Sequence, residues 1–235
     1  LRRAGHASRG PLNADVRSMN STFRVLTTLL VVAIAVAACT STTKPYVRTV
    51  EIAAQYQNQR NFELAEKYHR QALAEMRADP EVSAANLSIQ LANVASVLTH
   101  YRNPEEALTL LSEAIDIQDR QSEPNSQVLA QVYAIQGRCE ELQGHLDASE
   151  ATYMKALNLA QQIKTWYPAH YGFVLAGLAN IYVQENKLEQ ADDYHRKAKE
   201  LYATSLGENS AAWRDRATEY SMLRAAASEK RIPRD

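Results

Sequence analysis

The chain has 235 residues, 46% of them hydrophobic, with only 7 Gly and 7 Pro; that is material for a core, with too few chain-breakers for a sheet-rich or disordered chain. The formal net charge of -1 comes without a block of like charge, so neither nucleic acid nor an anionic surface is implied as a partner. Cys39 and Cys139 and the six histidines lack the spacing of a zinc site or a redox pair, and no phosphate loop, nucleophile elbow or metalloprotease motif occurs, so no metal, no cofactor and no enzymatic activity are expected.

The N-terminus reads as an address. Residues 1–18 lack apolar periodicity, and Met19 is expected to be the true start, with the residues before it an upstream mis-start without structure. Met19 to Arg24 is a short positive lead, and Val25 to Ala38 is an apolar run that is too short to cross a roughly 30 Å hydrocarbon core and has the length of a signal-peptide core. Val36-Ala37-Ala38-Cys39 resembles the bacterial lipobox. That resemblance implies a signal peptide over 19–38, cleavage before Cys39, and acylation of Cys39, which gives membrane affinity at about 0.8 kcal/mol per buried CH₂. Ala35-Val36-Ala37 also fits ordinary secretory cleavage, and a short membrane anchor is a further alternative. Thr40 stands where lipoproteins retained in the inner membrane tend to carry Asp, which leans towards the outer membrane. Residues 39–45 are expected to be a polar tether. Five arginines and Asp15 fall before residue 39, so the rest of the chain is mildly acidic.

Helical hairpins follow from about Tyr46. The first is expected over Val47–Asn58 and Asn61–Arg77, with Ile52, Ala53 and Tyr56 on one inner face and Phe62, Ala65, Ala72 and Leu73 on the other. Asp79-Pro80 punctuates the chain as a helix cap and first-turn proline. The second runs over Glu81–Tyr101 and Pro104–Arg120, where Asn103-Pro104-Glu105-Glu106 reads as a capping Asn, a first-turn Pro and acids at the positive end of the dipole. The third runs over Asn125–Gln143 and His145–Ile163, with Glu140 as an acid where the other copies carry Tyr56, Leu98 and Tyr182. The fourth covers Ala169–Glu185 and Lys187–Leu206, stopped at Gly207. A last helix over Ser210–Ser228 has no partner, and its Arg214, Asp215, Arg216 and Glu219 are expected to solvate a terminal face.

One fixed period binds these hairpins. From Ala198, steps of 42 residues land on Ala156, Ala114 and Ala72; from Ala191, on Ser149, Ala107 and Ala65; from Ala179, on Gly137, Ala95 and Ala53. Small residues at three phases mark helices that cross too closely for large side chains. This pattern, with its fullest copy in LANIYVQENKLEQADDYHRKAKELYATSLGEN, resembles the tetratricopeptide repeat in its 42-residue, kinesin-light-chain-like variant, from Tyr46 to about Ser228. The resemblance implies an all-α, right-handed superhelical solenoid of four hairpins plus a capping helix over 46–228, with residues 229–235 as a tail. It also implies that the first helix of each pair lines a concave groove. Carried onto this chain, the groove would present Asn58, Asn93, Ser96, His100, Arg138, Asn180 and Gln184, whose amides and charges suit a peptide backbone. Arg138 alone does not make the Lys, Asn and Arg clamp of the chaperone-binding members.

The other constellations read as packing. His69 and His195 share a repeat phase within YHR-x-A, but three repeats apart they lie too far from each other to share a metal. Cys139 lies mid-helix with no activating neighbour. The pairs Glu105-Glu106, Glu140-Glu141 and Asp192-Asp193 are expected on solvated faces, and the tyrosines at helix contacts. The expected function is a scaffold that binds a protein or peptide partner, anchored by lipidated Cys39 and facing the periplasm of a bacterial envelope. The alternatives are an adaptor or regulatory subunit of an envelope enzyme, and a self-associating structural protein.

Overall fold

A computed structural model describes residues 44–101, 103–163 and 167–229. The signal-peptide reading, Cys39 and the C-terminal tail lie outside the described residues. Among those residues every regular element is helical: α1 (Pro45–Asn58), α2 (Phe62–Ala78), α3 (Ala84–Leu98), a 3₁₀ turn (Thr99–Tyr101), α4 (Pro104–Asp119), α5 (Ser126–Leu142), α6 (Leu146–Gln161), α7 (Pro168–Gln184), α8 (Leu188–Leu206) and α9 (Ala211–Glu229). Helices α1/α2, α3/α4, α5/α6 and α7/α8 pack as hairpins, and the second helix of each pair leans on the next hairpin. This is the expected all-α stack of four pairs and a terminal helix.

The period shows in the burial. Ala53, Ala65, Ala72, Ala95, Ala107, Ala114, Ser149, Ala156, Ala179, Ala191 and Ala198 are all fully buried, as helices 8–10 Å apart require. The turns keep the same register. Arg60, Gly144 and Asn186, separated by multiples of 42 residues, all have φ between +61 and +79°. Gly and Asn accept that left-handed conformation readily; an Arg there carries a steric cost of order 1 kcal/mol.

Two helix starts differ from expectation. Asp79-Pro80 does not open α3: the Asp79 carboxylate accepts from the Glu81 N–H within a turn, and Ser83 is the cap, its Oγ accepting from the Asn86 N–H at 3.2 Å. Asn103 precedes α4 without capping it, because its side chain instead donates to Glu106 Oε2 at 3.0 Å. Pro104 alone sets that entry. Asn61 and Asn125 cap α2 and α5 through their side-chain oxygens.

The core thickens towards the C-terminus. Tyr153 on α6 inserts between α5 and α7 where Gly137 and Gly177 face it; a Cβ at Gly177 would lie 2.4 Å from its ring, and one at Gly137 would lie 2.8 Å away. Only glycine at both positions admits the ring. Its hydroxyl passes through and donates to Glu141 at 3.0 Å.

Candidate docking groove

The first helices of the four pairs, with α9, enclose a hollow of about 740 Å³. Small side chains keep it open, among them Ala134 and Ala169, while polar side chains project from each successive layer. Asn58 comes from α1, Asn93 and Ser96 from α3, His100 from the 3₁₀ turn and Arg138 from α5. Five of the seven residues expected to line a groove therefore meet around one space. His100 is fixed there by stacking on Phe62 with ring centroids 3.8 Å apart, a contact that ties the first hairpin to the second.

The other two expected residues are placed elsewhere. Asn180 is 1% exposed and donates its amide to Glu141 Oε1 at 3.0 Å, so it supports the floor without reaching the hollow. Gln184 is exposed at the end of α7, donates to the Asn180 carbonyl, and is not part of the lining. The α7 contribution comes instead from Ala169 and Phe173.

The charge in the hollow was hidden from sequence reasoning. Glu141 is not on a solvated face: it is buried and gathers Tyr153, Asn180 and Arg138, whose Nη1 lies 2.8 Å from its Oε1. Arg138 also donates to Glu219 on α9 at 2.7 Å, and Arg216 reaches the same carboxylate at 3.3 Å while its guanidinium lies 4.1 Å over the Phe173 ring. Burial works against the Arg138 charge, but Glu141 and Glu219 outweigh it and raise its pKa above the ordinary guanidinium value. Burial likewise opposes the Glu219 charge, and Arg138 and Arg216 hold its carboxyl below the usual range. Both groups are charged near neutrality, as a paired buried network requires.

Helix α9 thus differs from a solvated cap. Arg216 is buried and Glu219 half-buried, and the helix packs mainly on α7, the groove-lining member of the last pair. Asp215 pairs with Arg60 in the first inter-helix turn. Sequence reading placed these side chains on a terminal face because no repeat partner exists to predict their contacts. The one available signal was that Asp215 and Glu219 lie one helical turn apart on a single face. The mouth of the hollow carries Tyr167, Leu206 and Met222, three of the five exposed large apolar side chains among the described residues.

His69 and His195 are packed separately. His69 is buried, its Nε2 3.2 Å from Gln57 Oε1 and its Nδ1 3.2 Å from Gln90 Nε2. His195 stacks on Tyr220, centroids 3.9 Å apart. Cys139 is buried and free.

Residues 83–162 match the model of the tetratricopeptide repeat family. No curated protein matches the chain. Among solved structures, BtubC (BKLC) from P. vanneervenii is similar with a TM-score of 0.53 at 20% identity, over 70% of this chain and 66% of that one. At that identity the likeness speaks for the fold, and the match spans just under two thirds of BtubC. The family match spans the second and third hairpins, and the first and fourth hairpins repeat the same spacing and buried small residues, so residues 83–162 resemble tetratricopeptide repeats and the flanking hairpins share their pattern.

Proposed function

We propose that this chain is a docking scaffold whose hollow takes a peptide or helix of a protein partner and performs no catalysis itself. Tetratricopeptide repeats are protein-interaction modules in general, stacking short pairs into extended binding surfaces. The observation that carries the reading here is the convergence of Asn58, Asn93, Ser96, His100 and Arg138, from three successive hairpins, on one hollow. The apolar side chains at its mouth add the desolvated contact area a bound segment needs. We further propose that lipidated Cys39 anchors the chain in a bacterial envelope, outer membrane favoured, with the solenoid in the periplasm; the lipobox-like Val36 to Cys39 supports this.

Site-specific photo-crosslinking in the native host tests the scaffold. The probe replaces Asn93 in the hollow, with exposed Glu189 at the start of α8 as control. A discrete adduct at Asn93 alone is expected and identifies the partner by mass. Equal adducts at both positions, or none at Asn93, refute the groove as the docking surface. Palmitate labelling that persists in Cys39→Ser refutes the anchor.

A further inference from the structure

We propose that α9 is a displaceable wall of the hollow, latched to the first hairpin, and that a partner helix enters only when this helix lifts away. The proposal rests on the groove reading above.

Three observations carry it. The first is position: α9 supplies Ala212, Asp215, Arg216, Glu219 and Met222 to the lining of the hollow, so it is the wall that closes the groove formed by the first helices of the pairs. The second is how lightly it is held. Of its nineteen residues only Trp213, Arg216 and Tyr220 are buried, against twelve of seventeen on α7; the two aromatic rings sit on the last hairpin, Arg216 lies over Phe173, and ion pairs link the helix to the first and third hairpins. Lifting it frees Trp213 and Tyr220 from His195 and Tyr202 of the last hairpin and leaves the small-residue core of the four hairpins in place, so the helix can open as a local unit. The third is Arg60. Its backbone sits at φ 61°, where the equivalent turns use Gly144 and Asn186. A strained arginine at this phase is accounted for by what its side chain does: it reaches Asp215, 155 positions along the chain, from beside the Phe62 ring. The latch therefore joins the first and last elements of the described solenoid across the mouth of the hollow.

The contacts also define what displaces the helix. Asp215 and Glu219, four residues apart, meet Arg60 and Arg138 on the opposing wall. The competing occupant is a helix that presents two carboxylates one turn apart. Such a helix replaces both ion pairs at once, whereas an uncharged segment leaves the half-buried Arg138 with Glu141 alone.

Three full-length proteins test this: wild type, Asp215→Arg, and Asp215→Arg combined with Arg60→Asp, which restores the pair with reversed polarity. Hydrogen–deuterium exchange is followed at the amides of α9, with α5 as internal reference. The Arg60–Asp215 pair is about half exposed, and pairs of that kind shift an equilibrium by roughly two- to fivefold. The single variant is expected to raise α9 exchange by that factor with α5 unchanged, and the double variant to return it to the wild-type rate. The second readout is a fluorescent peptide of residues 208–229, expected to bind the single variant and neither of the others. Unchanged α9 exchange in the single variant, an equal rise at α5, or no recovery in the double variant overturns the latch, whatever crosslinking at Asn93 reports. Exchange that responds without peptide capture supports the latch and overturns the hollow as a docking site for helices.

Discussion

Gly177→Ala sets two known effects against each other with a clear predicted winner. In an ordinary helix interior the change favours the helix by about 1 kcal/mol. Here the new methyl would lie 2.4 Å from Tyr153 Cζ and 2.5 Å from its hydroxyl. Tyr153 cannot retreat, because it is fully buried and its other face lies against Gly137. Overpacking of this kind costs about 1–3 kcal/mol, and a displaced hydroxyl leaves buried Glu141 short of a donor, for about another 1 kcal/mol. The net expectation is a loss of about 1–3 kcal/mol, read from the urea midpoint at unchanged slope. Combining Gly177→Ala with Tyr153→Leu removes the ring and is expected to show a coupling of at least about 1 kcal/mol relative to the sum of the singles. A neutral or stabilising Gly177→Ala, or additive singles, would refute the claim that the glycines exist to admit Tyr153.

Glu219→Gln leaves Arg138 and Arg216 without their shared carboxylate; α9 amides should exchange several-fold faster while α3 amides hold their rate, and protection unchanged in α9 would show that apolar contacts alone seat the helix. His69 stands below its ordinary value of 6.5, at about 4, because burial disfavours its charge. The unfolded chain then takes up a proton near pH 6.5 that the folded chain refuses until about pH 4, so this residue's contribution is full above pH 6.5 and is lost as pH falls towards 4. His69→Gln should flatten that limb of the stability–pH curve, and an unaltered limb would assign it to other groups. Burial pushes the Cys139 thiol up to about 12; in the native chain at pH 8 its alkylation, followed on the Cys139 peptide, should be limited by unfolding, and rapid labelling would contradict the packing of α5.

The repeat was legible because its cause is local and recurrent. Close-crossing helices need small residues at fixed phases, and a 42-residue step through Ala53, Ala95, Gly137 and Ala179 displays that need directly. Helix ends came within a few residues for the same reason, and the misread starts at Asp79 and Asn103 are places where two capping signals compete. The groove was legible only where one repeat predicts the next. Asn58, Asn93, Ser96, His100 and Arg138 follow from helix phase, whereas Asn180 is covered because Tyr153 and Glu141 fill the layer beneath it. Glu141 illustrates the limit: an acid beside another acid reads as solvent-facing, and only the tertiary meeting of Tyr153, Asn180 and Arg138 gives a reason to bury it. Contacts of α9 were beyond reach, since a helix outside the repeat has no copy from which to infer them.

The third hairpin departs from its siblings where the hollow acquires its charge, and the two facts have one explanation. Gly137 and Gly177 let Tyr153 cross from the second-helix layer to the groove layer, where its hydroxyl supports Glu141. Glu141 then holds Arg138 in place, and Arg138 holds Glu219. An apolar contact between α5 and α9 would seat the terminal helix more firmly, because ion pairs of limited exposure give back much of their attraction in lost hydration. What the polar arrangement adds is directionality: it fixes which face of α9 meets the wall, and it is satisfied equally well by any other carboxylate delivered to the same point. A hold that is specific in geometry and modest in strength is the kind suited to a helix that yields its place. The same network makes Tyr153→Phe informative. That variant keeps the ring and removes only the hydroxyl, so the solenoid should stay folded while α9 protection falls. An α9 that stays fully protected in Tyr153→Phe would break the link between the buried tyrosine and the groove.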